Sequence, residues 1–142
     1  MKSTMSVSEL LFPIGEISLH FQYFFDDHPP YAWLDIHSDS EDDKLAGVAI
    51  NCLDIGDIPV ITGIYGKTFF FDETNEDEGI ELSESVFWTP GQDTLEISSI
   101  QLRFGIPQDK LLPIEIVAIC SDHDGAQDIP VSITGEVVIM GA

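Results

Sequence analysis

From Ile14 onward the apolar residues of this chain recur with a period of two, or in short unbroken runs, and never in a sustained i, i+3, i+4, i+7 stripe. That pattern leaves strands as the building unit. Ile17, Leu19, Phe21 and Tyr23 alternate with Ser18, His20 and Gln22, which predicts a half-buried strand. It must end at Asp26-Asp27-His28-Pro29-Pro30, because neither proline can donate to a ladder. The next strand, over 31–37, puts Ala32, Leu34 and Ile36 on one face and Tyr31, Trp33 and Asp35 on the other. Segments 45–53 and 114–120 are apolar at nearly every position, which places them centrally. Further strands are expected over 58–65, 68–71, 80–88, 94–104 and 129–140. Within 94–104 the apolar parity slips at Ser98-Ser99, the mark of a β-bulge. Before all of these, Ser6-Val7-Ser8-Glu9 reads as a capping box opening one helical turn, which Pro13 closes.

A collinear repeat adds an architectural expectation. Val48-Ala49-Ile50, Cys52, an acidic turn, Asp57-Ile58-Pro59-Val60 and Thr62-Gly63 occur in that order in the first half. Val117-Ala118-Ile119, Cys120, an acidic loop, Asp128-Ile129-Pro130-Val131 and Thr134-Gly135 follow the same order in the second. The sequence therefore predicts an all-β chain: an antiparallel β-sandwich or flattened barrel of about eight strands, duplicated from a four-stranded unit. Residues 1–13 would be a lead-in, 14–71 the first unit, 72–79 an acidic linker and 80–140 the second unit, all within one domain.

Charge sets the class of partner. Five Lys plus Arg stand against 26 Asp plus Glu, a formal net charge of −21. Such a surface repels nucleic-acid phosphates and anionic lipid, and leaves a basic protein partner or cations. No apolar run reaches the length of a membrane span, and residues 1–12 lack the unbroken apolar core of a signal peptide. A cytoplasmic location is the expectation, with Cys52 and Cys120 as buried free thiols.

The acidic loop Asp122-His123-Asp124-Gly125-Ala126-Gln127-Asp128 offers one alternative. Asp122, Asp124 and Asp128 are candidate calcium ligands, since calcium takes six to eight oxygens. The loop is not an EF-hand: Cys120 and Val131 stand where the first and twelfth ligands belong. Asp and Gly are also ordinary turn formers. Cys120 and His123 lack the further Cys and His that zinc requires. Cys120, His123 and Asp124 supply the residue types of a nucleophilic triad, but no phosphate loop or Gly-x-Ser-x-Gly elbow accompanies them. The reading is a non-catalytic binding protein without a cofactor, with a calcium-binding module and an enzyme of unrecognised site as alternatives.

Aromatic residues lie among the acids: Tyr31, Trp33, Phe69 to Phe71, Phe87 and Trp88. Rings beside carboxylates suit docking on a basic protein, with charge steering the encounter and rings anchoring it. Glu76, Asp77 and Glu78, in a stretch that ends beside Phe87 and Trp88, form the candidate docking surface. In composition, though in no motif, the chain resembles small acidic inhibitors such as the immunity proteins that neutralise nucleases. That resemblance implies an inhibitory partner role.

Overall fold

Each alternating segment has one apolar face to bury, and the chain buries them together by curling its strands around a shared interior. The computed structural model describes residues 3–38, 44–72, 85–90, 93–109, 111–121 and 128–140. Its strands are β1 (Thr4–Val7), β2 (Leu10–Pro13), β3 (Ile17–Phe24), β4 (Tyr31–Ser38), β5 (Gly47–Asp54), β6 (Thr68–Asp72), β7 (Val86–Thr89), β8 (Asp93–Phe104), β9 (Leu111–Ser121) and β10 (Ile129–Met140). A short 3-10 turn, η1 (Ile61–Ile64), precedes β6. Seven strands close a ring in the order β10-β3-β4-β5-β7-β8-β9 and back to β10. Leu19, Leu34, Ile50, Ile100, Ile116 and Ile133 are among the fully buried residues of the single core inside it. Among the described residues no helix is long and apolar enough to cross a membrane.

Two long strands make closure possible. Along one edge β8 pairs with β9, while its other edge takes β7 first and β6 afterwards. In the same way β10 pairs with β9 on one side, and with β1 and then β3 on the other. The register of β8 shifts between Ile97 and Ser99, so the bulge read from the parity slip is present. A bulge bends its strand and raises local twist, which lets β8 turn from one neighbour to the next. On β10 the handover falls at Gly135. A Cβ there would collide with the Ser3 side chain, so glycine is required by the close approach of the chain entering β1.

Four expectations need correction. Residues 4–13 form a hairpin, β1 and β2, not a lead-in with a helical turn. Met5 is fully buried, and Ser8 takes a positive φ of 54° at the turn. The free edge of β10 offers the ladder that outweighs the local capping signal. Segment 58–65 is not a strand. Pro59 has no N–H to donate, and Gly63 N–H donates to Val60 O at 3.0 Å to close η1. Closure is not wholly antiparallel, because β10 meets β3 in parallel, Val137 opposite Ile17. Lastly, the repeated words occupy unlike structures. Val48-Ala49-Ile50 and Val117-Ala118-Ile119 do lie in strands paired on both sides. Asp57-Ile58-Pro59-Val60, however, is a loop before η1, while Ile129-Pro130-Val131 begins β10. The repeat therefore does not mark two equivalent four-stranded units.

Cys120 points into the core as a free, buried thiol, and burial pushes its pKa up to about 12. Only the thiolate is nucleophilic, so Cys120 stays inert at neutral pH. Iodoacetamide at pH 8 should leave the Cys120 peptide unmodified in folded protein and modify it in urea, as mass spectrometry would show. The linkage has a definite sign. Below the unfolded thiol's ordinary value both states hold the proton; from there up to about 12 only the unfolded chain loses it. Stability should therefore fall across that alkaline window, and a Cys120→Ala variant should lose that part of the dependence. Rapid labelling of the folded protein at pH 8 would refute the assignment.

Candidate functional site

The barrel's interior is filled by side chains, so chemistry must sit on its outside. On β3 the outward phase is Ser18, His20, Gln22 and Phe24; on β4 it is Tyr31, Trp33, Asp35 and His37. Antiparallel pairing brings them together in rows. His20 lies opposite Asp35, Gln22 opposite Trp33, Phe24 opposite Tyr31 and Ser18 opposite His37. A groove of ≈ 520 Å³ runs over this face, lined by His20, Phe21, Gln22, Trp33, Asp35 and His37.

β5 continues this face beyond β4. Its register against β4 shifts between Leu34 and Ile36, so Asn51 and Cys52 together oppose the single residue Asp35. That bulge re-aims Asn51 toward β4, where its Oδ1 lies 2.7 Å from His37 Nε2. The contact is a hydrogen bond in the imidazole form that carries a proton on Nε2, and it fixes the ring plane. Buried serines support the bulged strand from its edges. Val48 N–H donates to Ser38 Oγ at 2.9 Å, and Asn51 N–H to Ser85 Oγ at 3.1 Å. Farther along, Asp54 lies opposite Trp33, and its Oδ1 accepts from Gly56 N–H at 2.8 Å. Tyr23 O–H donates to Asp57 Oδ1 at 2.7 Å and ties the loop after β5 to β3. That hydrogen bond to a carboxylate favours the protonated phenol and raises its pKa.

At the hairpin end of the groove three rings form an ordered cluster. Phe24 and Tyr31 stack with centroids 5.0 Å apart, and Phe24 meets Trp33 edge-on at 4.7 Å. Tyr31 and Trp33 stand 6.1 Å apart. Trp33 and Tyr31 are half-buried, and Trp33 lies opposite Asp54 and two residues from Asp35 on the same outward phase.

No family model, curated protein or solved structure matches this chain. Its function is therefore argued from the residues themselves.

The residues singled out from sequence fare differently. Glu76, Asp77 and Glu78 lie outside the described residues, as do Asp122 and Asp124. Asp128 is exposed at the start of β10 with a φ of 60°. Among the described residues no group of three or more His, Cys, Asp and Glu is arranged to hold a metal ion. Phe87 must be withdrawn as a docking anchor, because it is fully buried in the core. Trp88 lies on the outside, opposite Gly47, where any Cβ at 47 would collide with its indole. It covers β5 more than it offers a free ring. Phe71 is buried too, leaving Phe70 exposed on β6.

Sequence reasoning placed His20 on a polar strand phase, and Trp33 and Tyr31 opposite the apolar face of theirs. It missed that these phases face each other across one ladder. The available signal was chemical: the outward phases of these two strands carry rings, histidines and a carboxylate.

Proposed function

We propose that this chain is a non-catalytic binding protein that docks on a basic protein partner, and that it does so through the outer face of β3, β4 and β5. The observation carrying this reading is that the Phe24–Tyr31–Trp33 cluster shares one outward sheet face with Asp35 and Asp54, with Trp33 and Asp35 lining the groove. A guanidinium is planar, weakly hydrated and able to stack on a ring while pairing bidentately with a carboxylate. Such a cation–π contact contributes about 0.5–2 kcal/mol, more as it is desolvated. The net charge of −21 steers a basic surface toward the molecule from a distance, and the pre-ordered rings then discriminate at contact. Occupying a partner's basic surface in this way suits an inhibitory role, in keeping with the composition.

The test uses an octa-arginine peptide as probe, with ¹H–¹⁵N spectra of the protein. Expected are shifts concentrated on His20, Trp33, Asp35 and Asn51, and an association rate that falls steeply as salt rises while dissociation changes little. The screening length contracts to about 8 Å at physiological salt, which removes steering but not contact. Shifts scattered over all acidic loops, with none at Trp33, would overturn the reading and leave the acidity as solubility alone.

A further inference from the structure

We infer that the sheet face on the far side of the barrel from this groove is where two copies of the chain associate. Six strands lie side by side there, in the order β2-β1-β10-β9-β8-β6. Their outward residues form continuous rows in register. One row runs Pro13, Thr4, Thr134, Glu115, Arg103, Thr68. The next runs Leu11, Ser6, Ser132, Val117, Gln101, Phe70. These twelve positions hold one acid and one base, in a chain whose formal charge is −21. Leu11, Phe70 and Val117 are 74%, 58% and 43% exposed on this uncharged ground. Among the described residues acids return toward the ends of the strands, with Asp72 two residues beyond Phe70 at the end of β6, Glu96 beyond one end of the rows and Glu136 at the other. A neutral, partly apolar centre inside a charged rim is the anatomy of a protein interface.

Charge also selects the occupant. Two copies of so acidic a chain repel each other in every orientation that brings loops together, and this face is where that repulsion is least. The face is moreover self-complementary. Arg103 and Glu115 lie directly opposite each other on neighbouring strands β8 and β9. A two-fold axis in the plane of the interface, running between those strands, sets each Arg103 over the other copy's Glu115. The same operation sets Gln101 over Val117. Such an isologous contact closes on itself and forms a dimer, not a fibre. That axis lays β10, β9, β8 and β6 over β6, β8, β9 and β10 of the other copy. At about 4.8 Å between strands and 3.3 Å per residue, those four strands span on the order of 400 Å² in projection over six residues. That is about half of the roughly 800 Å² each partner gives to a standard interface, which makes this a weak dimer formed at high micromolar concentration. A dimer so formed would turn both β3–β5 grooves outward.

The deciding experiment uses two single charge reversals, Arg103→Glu and Glu115→Arg, in sedimentation velocity. Wild type is expected to be dimeric at about 200 μM, and each reversal to weaken association about tenfold or more, since each places like charges opposite. Mixing the two variants one to one should restore a dimer, because the first then presents two acids to the second's two bases. Disturbance of the ladder within one copy cannot produce that rescue. Val117→Glu, at the centre of the face, should dissociate the wild-type background as well, with circular dichroism unchanged. A monomeric wild type at that concentration, reversals that dimerise as wild type does, or a mixture that stays monomeric would each overturn the inference.

Discussion

Replacing Phe87 with alanine will destabilise the protein by about 3–5 kcal/mol, a large part of the roughly 5–15 kcal/mol that holds a domain of this kind folded. Phe87 is fully buried and sits on β7 opposite Val48, itself fully buried, where the four-residue β7 joins β5 to β8. Removing the ring leaves a cavity lined by residues that are already fully engaged, and a closed barrel cannot collapse one strand without disturbing its neighbours. Trp88→Ala should cost clearly less, because the indole is half-buried and lies outside the barrel over Gly47. Urea titration followed by far-UV circular dichroism measures both. A Phe87→Ala midpoint equal to that of wild type would mean that Phe87 does not fill the core.

The second large effect concerns binding. Trp33→Ala should weaken capture of the octa-arginine probe by about 2 kcal/mol, close to thirtyfold, because exposed aromatic anchors dominate interfaces of this kind. Asp35→Lys should act differently. It removes a carboxylate and adds a cation within the groove, so it should slow association while leaving the ring cluster in place. Isothermal titration and stopped-flow fluorescence separate the two, with thermal melts as control for folding. Equal affinity of wild type and Trp33→Ala, with both folded, would remove the groove from the binding reaction.

Much of this molecule was legible along the chain. The strands over 17–24, 31–38, 93–104 and 129–140 follow from alternation, because in a strand every second side chain must face the same way, and those over 47–54 and 111–121 from unbroken apolar runs. The Ser98-Ser99 parity slip named the bulge for the same reason. The acidic surface is a matter of composition alone. The expected sandwich or flattened barrel came close to the closed barrel observed, since half-buried strands without helices have few other ways to hide one face.

Neighbourhood was not legible. Pairing of β10 with β3 joins the last strand to one of the earliest, and no residue in either announces its partner, because ladder bonds are made by backbone that all residues share. The first residues looked helical until a free strand edge was there to receive them, and Asp57-Ile58-Pro59-Val60 looked like its later copy until its surroundings differed. Phe87 and Trp88 are adjacent aromatic residues of equal promise in sequence, yet the pleat sends one into the core and the other outside. By itself the sequence determined the longer strands, their faces and the charge, but not the β1–β2 hairpin or the loop at 58–65. Which faces meet, and so the groove of β3 to β5 and the neutral face opposite, was decided by tertiary structure, because closing a barrel selects among pairings that local chemistry leaves equal.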